Sequence, residues 1–120
     1  MCMTGRRAGL LEADLADLGV ARPEPVEAPR FDTPAALLGG LYVLEGSRLG
    51  GAVLRRRLPP GAVSRFLGAA APDGAWTRLL ALLEDKLDRG DELAAAVEVA
   101  RAVFRCFERA GSRDLETLLA

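Results

Sequence analysis

The sequence predicts an all-α fold, and three observations support this prediction. The apolar residues are mainly Ala, Leu and Val, and the chain contains no Ile, which favours helices over strands. Leucines recur at spacings of three or four in several segments. No segment alternates apolar and polar residues between hairpin turns, as a half-buried strand would. At 120 residues the chain is too short for two independent cores, so we expect one domain over residues 1–120.

The first predicted helix covers about residues 7–18, where leucines form one stripe and acidic residues lie between them. Gly19 ends this helix. Residues 20–32 contain three prolines among charged residues. Because proline removes a backbone donor and disrupts helix interiors, we predict an extended connector there.

The second predicted helix begins with Thr33 as a cap and Pro34 at the first helical position. It ends at Leu58, because two prolines follow. Five glycines lie inside it, at positions 39, 40, 46, 50 and 51. The last three alone would cost about 3 kcal/mol relative to alanine in a regular helix, so their presence needs an explanation.

The C-terminal half of the sequence predicts two more major helices. A turn at residues 72–74 precedes a leucine stripe that begins near Trp76. Asp91 can cap the next helix, which we expect to run to about Arg109 and to end at Gly111. Residues 112–119 are predicted to form a short separate helix. Five acidic residues lie where one major helix ends and the next begins, and this position explains them more simply than a site for a divalent cation does. They are Glu84, Asp85, Asp88, Asp91 and Glu92.

Composition excludes several classes of function. The 16 basic and 17 acidic residues give a net charge of -1, which argues against a nucleic-acid partner. No apolar run reaches the roughly 18 to 20 residues that span a membrane. Without a recognisable signal peptide, we interpret Cys2 and Cys106 as reduced thiols and predict a cytoplasmic protein. The chain has no histidine, which excludes imidazole as base, shuttle or iron ligand.

Residues 41–51, here called the glycine segment, carry the clearest functional signal. Gly46 and Gly50 are four apart and share one helix face, and Gly51 widens the strip without side chains. Such a strip lets the backbone approach a flat ligand such as a porphyrin. The alternative is close packing of another helix against the same strip.

The sequence YVLEGSRLGG, residues 42–51, closely resembles the distal-helix signature of bacterial haem oxygenases, especially those that make biliverdin for bacteriophytochromes. Further segments resemble the same family. LEADLADLG at 11–19 is similar to the helix before its connector, and DTPAALLG at 32–39 to the run into its distal helix. Residues 76–83 and 100–108 are similar to its last two major helices.

The resemblance implies a helical fold that holds haem between a proximal and a distal helix. The implied reaction opens haem with O2 and electrons to biliverdin, carbon monoxide and iron, with a ferredoxin or a reductase as electron donor. By resemblance, Gly46, Ser47 and Gly50 are the catalytic positions of the distal helix. The implied haem-binding residues are Gly46, Gly50, Gly51, Tyr42 and Arg78. Ser47 stands where some animal relatives have an aspartate.

The chain departs from the family in its iron ligand. Family members bind iron through a histidine on their first helix, whereas this chain has neither a histidine nor a match to that helix. It therefore resembles an enzyme without its front portion. Cys2 and Met3 are chemically able to bind iron, but they lie at a terminus that nothing places near haem.

Two further interpretations follow from the same residues. The chain is alternatively an inactive helical module for interaction or dimerisation, with exposed apolar faces at Leu41, Leu44, Trp76 and Phe104. Arg48 and residues 55–57 fit haem propionates or an acidic electron donor. For residues 55–57 we favour a solvated face, because cations are stabilised near a helix C-terminus.

Overall fold

The computed structural model describes residues 3–62, 64–69 and 71–119. It contains five helices among these residues and no strand, which confirms the all-α prediction. The helices are α1 (Met3–Leu18), α2 (Pro34–Arg57), α3 (Arg65–Gly68), α4 (Ala75–Lys86) and α5 (Gly90–Leu119). Among the described residues, none of the helices combines the length and the apolar character that a membrane span requires.

The chain divides into two compact units. Unit 1 comprises Met1–Glu24 and Leu44–Ala75, and unit 2 comprises Pro25–Val43 and Trp76–Ala120. Helix α2 contributes its first ten residues to unit 2 and its remainder to unit 1. The glycine segment therefore begins at the end of the unit 2 part and lies mainly in unit 1.

The predicted boundaries of α2 are confirmed to within a residue. The Thr33 hydroxyl accepts a hydrogen bond from the Ala36 N–H at 3.1 Å, and the Thr33 carbonyl accepts one from the Leu37 N–H at 2.9 Å. This is the geometry of an N-cap. The helix ends at Arg57, where the approaching prolines prevent continuation.

Unit 1 is organised by Asp14, which is buried although it is charged. Its two carboxylate oxygens accept from the N–H groups of Arg65 at 2.7 Å and Phe66 at 3.0 Å. The Ser64 hydroxyl caps the same short helix by accepting from the Leu67 N–H at 3.1 Å. Helix α1 therefore fixes the first turn of α3 through a single carboxylate.

Unit 2 has a small core between the first part of α2 and helix α5. The buried apolar residues of the described chain all lie in this unit; they are Ala36, Leu38, Val43, Ala96 and Val103. A Cβ atom on Gly39 would overlap the Ala96 carbonyl oxygen, and one on Gly40 would lie 2.7 Å from the Phe31 ring. Both glycines are therefore required for close packing.

Residues 20–32 contain no helix or strand, and they are tied to α5 by polar contacts. The Cys106 thiol donates to the Glu27 carbonyl at 3.1 Å, and the Arg109 guanidinium donates to the same oxygen at 3.3 Å. Cys106 is a free thiol, while Cys2 lies outside the described residues. Within unit 2, α5 therefore holds this stretch at Glu27.

The prediction for the C-terminal helix was wrong in two respects. Helix α5 continues through Gly111 to Leu119, so residues 112–119 are not a separate helix. Gly111 has a non-positive φ and open space around it, so a single helical glycine costs only about 1 kcal/mol here. The helix also begins at Gly90, which places Asp91 inside its first turn, where negative charge is favourable.

Candidate functional site

The structure places the glycine segment within α2, as the sequence predicts. Gly46, Ser47, Gly50 and Gly51 all belong to unit 1. Ser47 and Gly50 are exposed, whereas Gly46 and Gly51 are half-buried. One stretch of helix thus carries both the bare backbone and the single hydroxyl that the sequence singled out.

Packing against a neighbouring element does not explain Gly50. An added Cβ would meet nothing within 4 Å, so the face of α2 at this position is open. An added Cβ on Gly51 would lie 3.4 Å from the side chain of Leu67, which is an ordinary contact with α3. Close packing therefore accounts for Gly39 and Gly40, while Gly50 leaves backbone accessible to a ligand.

The Ser47 hydroxyl is hydrogen-bonded to the helix backbone, since it donates to the Leu44 carbonyl at 2.6 Å. A hydroxyl has one proton to donate, so the oxygen retains only its accepting role. The two terminal nitrogens of Arg7 each lie 3.4 Å from this oxygen and donate to it.

Arg7 is a residue of this site that sequence reasoning missed. Its Nη1 donates to the Leu44 carbonyl at 2.7 Å, and its guanidinium lies 4.5 Å from the centroid of the Phe66 ring. Burial lowers the pKa of Arg7, the charge of Arg48 lowers it further, and Glu45 raises it. No local pattern could reveal this contact, because 37 residues separate Arg7 from Leu44.

Glu45 and Arg48 form an ion pair inside the glycine segment. Arg48 Nε lies 3.2 Å from Glu45 Oε2, and the two side chains are only 13% and 10% exposed. The contact is electrostatic, since the Arg48 N–H is not aligned for a hydrogen bond. Arg48 lines a groove of about 480 Å³ in unit 1 together with the exposed Arg55 and Arg56.

The other two predicted haem contacts, Tyr42 and Arg78, belong to unit 2 and not to the unit that holds the glycine positions. The Tyr42 ring packs against Trp76, with 5.7 Å between ring centroids. Arg78 is an exposed residue of α4. The structure therefore brings four of the six predicted site residues into one unit.

Tyr42 also lines an apolar groove of about 670 Å³ within unit 2, between the first part of α2 and helices α4 and α5. Phe104, which borders the groove, is 49% exposed, as the sequence predicts for an unpartnered face. Leu41, Leu44 and Trp76 are half-buried, so the prediction of exposed faces at these three positions was only partly right. Internal packing covers part of each side chain.

The five acidic residues at issue lie at the end of α4, in the turn that follows it and in the first turn of α5. Within the described part of the chain, no group of three or more Cys, Asp or Glu residues could hold a metal ion. Met3 begins α1, and its side chain lies outside the described residues. The candidate site, as far as the structure describes it, is therefore an open glycine face bordered by hydroxyl, carboxylate and guanidinium groups.

Comparison with known proteins gives one informative similarity. No family model matches the chain, and no solved structure matches it. A protein named heme oxygenase from Xanthomonas campestris pv. campestris (strain 8004) is 39% identical over 111 residues. The aligned region covers 85% of this chain and 65% of that relative, so the chain spans less than two thirds of its length. This similarity supports a relationship between the chain and the haem oxygenase family, in agreement with the resemblance of the glycine segment.

Proposed function

We propose that the chain belongs to the haem oxygenase family and contributes the helix that lies against haem in the family's reaction. The observation that carries this proposal is the open face at Gly50, which no neighbouring side chain occupies. A flat ring can approach the backbone there, with Gly46 on the same side of the helix. The named relative supports haem as the substrate.

The residues present fit the ring of haem but not its iron. Bare backbone at Gly50 accommodates a planar face, and the neighbouring Arg7 and Ser47 supply polar contacts at its edge. The iron requires an axial ligand such as imidazole, and the 120 residues contain no histidine. We therefore assign these residues a role in ring binding and derive no catalytic step from them.

Titration with hemin and with metal-free protoporphyrin IX tests this division of roles. Both should bind at one equivalent, with dissociation constants within about threefold of each other, because the residues assigned to ring binding here include no iron ligand. Absorbance of the porphyrin and quenching of Trp76 fluorescence provide two independent readouts. A non-saturating response to both ligands would contradict the proposed function.

Biliverdin formation tests the enzymatic part of the proposal. The hemin-loaded chain is mixed with O2 and a reductant, with and without added imidazole, and biliverdin absorbance is followed. We expect turnover to depend on the added imidazole, since the chain has no imidazole of its own. Equal turnover with and without added imidazole would show that another group ligates the iron.

A second candidate function is supported by the apolar groove of unit 2. Leu93, Val97 and Phe104 border it and are each at least 40% exposed. Exposed apolar patches of this kind commonly mark interaction surfaces. If the chain is a helical interaction module, Phe104→Glu should reduce its self-association in sedimentation experiments, and wild-type protein should not bind porphyrin at one equivalent.

A further inference from the structure

We propose that Arg7 is a positioning residue that fixes the glycine segment, holding the Leu44 carbonyl and the Ser47 hydroxyl beside the open face of α2. The inference rests on the proposed function for its ligand, but its geometric basis lies entirely within unit 1. The residue belongs to α1, and neither the family resemblance nor the sequence pattern singled it out.

The Leu44 carbonyl is the centre of this arrangement. In a regular helix it accepts from the N–H four residues later, that of Arg48. Here it also accepts from Ser47 at 2.6 Å and from Arg7 at 2.7 Å. Opening of the helix at this carbonyl must also break the charge-assisted bond from Arg7, so the contact opposes local opening. The contact from Arg7 therefore acts on the backbone at the start of the bare strip.

Other groups of unit 1 hold the Arg7 guanidinium in place. Phe66 provides an aromatic face 4.5 Å away, which attracts a cation. Asp14, two helical turns after Arg7 on α1, binds the N–H groups of Arg65 and Phe66. The same helix thus supplies the guanidinium and anchors the ring beneath it, so the arginine is preorganised.

The arrangement determines the chemistry of the face near Ser47. The Ser47 hydroxyl donates its proton to the Leu44 carbonyl, so it has no further proton to donate to a ligand. Arg7 supplies N–H donors that carry a positive charge. Glu45 forms its ion pair with Arg48, and its charge raises the pKa of Arg7, which favours the charged form of that guanidinium. A ligand at this edge therefore meets hydrogen-bond donors, which favour anionic groups over neutral ones.

A first experiment tests the effect on the backbone and needs no ligand. Arg7→Gln should speed hydrogen exchange over residues 44–51 by about tenfold, which corresponds to the loss of one charge-assisted hydrogen bond. Arg7→Lys should restore only part of the protection, because an ammonium lacks the planar fork. Arg22→Gln is the matched control, since Arg22 belongs to unit 1 and its ion pair with Glu12 is exposed.

A second experiment separates positioning from general stability. Protoporphyrin IX carries propionate carboxylates, and its dimethyl ester is neutral at these positions. Arg7→Gln should weaken binding of protoporphyrin IX by about fivefold or more and leave binding of the dimethyl ester within about twofold. A merely structural role would weaken both ligands together. Unchanged exchange over residues 44–51, or parallel losses for the two porphyrins, would overturn the proposal. If wild-type protein binds no porphyrin, the proposed function fails, and the exchange comparison still decides whether Arg7 holds the segment.

Discussion

At the scale of single residues, the glycines of α2 differ in their surroundings. Gly39 and Gly40 allow Ala96 and Phe31 to approach the helix backbone closely in unit 2. Gly50 faces open space in unit 1, and no packing partner requires it. Close packing therefore explains Gly39 and Gly40, whereas approach of a ligand at Gly50 is the proposal made above.

Gly39→Ala tests the packing role. The added Cβ would lie 3.0 Å from the Ala96 carbonyl carbon and would overlap its oxygen, and a backbone group cannot move aside cheaply. We expect a loss of about 1–3 kcal/mol in the free energy of unfolding, measured in urea. Gly111→Ala is the control and should instead gain up to about 1 kcal/mol, because its surroundings are open. Equal effects of the two substitutions would contradict this account.

The sequence could predict residues that act locally but not those that act at a distance. Thr33 was identified as a cap from the residues that follow it, and the hydrogen bond to Ala36 confirms it. Asp14 and Arg7 were not identified, because their partners lie 51 and 37 residues away. In the sequence, Asp14 does not differ from the other acidic residues of α1. Only the folded chain shows that it accepts hydrogen bonds from two backbone amides.

At the scale of elements, helices whose ends are set by nearby residues in the sequence were predicted best. The ends of α2 were set by Thr33 and by the prolines, whose effects act within a few residues. The end of α5 was predicted wrongly, because a glycine stops a helix only when the surroundings favour a left-handed residue there, as they do at Gly19 with φ 66°. Short α3 has no periodicity of its own and depends on Asp14.

The dependence of α3 on Asp14 predicts a pH effect. Hydrogen bonds from the Phe66 and Arg65 amides hold the pKa of Asp14 below its ordinary value of 3.8. The unfolded chain therefore takes up this proton at a higher pH than the folded chain does. The stabilising contribution is complete above about pH 4 to 5 and is lost as the pH falls through the lowered pKa of the folded state.

Asp14→Asn measures this contribution. Urea unfolding at several pH values should show wild-type protein more stable than the variant at pH 7, with a difference that shrinks as the pH falls below about 4. Asp85→Asn is the control, because Asp85 is exposed and makes only a 3.7 Å ion pair with Lys86. A difference between wild type and Asp14→Asn that stays constant down to acidic pH would argue against this role.

At the scale of the whole molecule, helical periodicity was sufficient to predict the fold class. The division into two units was not predicted, because it depends on which helices pack together and α2 takes part in both. The four candidate residues Gly46, Ser47, Gly50 and Gly51 were predicted to lie on one helix, and the structure places them together on α2 in unit 1. Tyr42 and Arg78 were grouped with it by resemblance, and the structure places them in unit 2.

The central claim is that the open face at Gly50 binds the porphyrin ring, and a matched pair of glycine variants tests it most directly. Gly50→Leu and Gly111→Leu both add a side chain at an exposed helical glycine with open surroundings, one in each unit. Protoporphyrin IX titration should show binding weakened by about tenfold or more in Gly50→Leu and unchanged in Gly111→Leu. Equal affinity in both variants and in wild-type protein would contradict the claim.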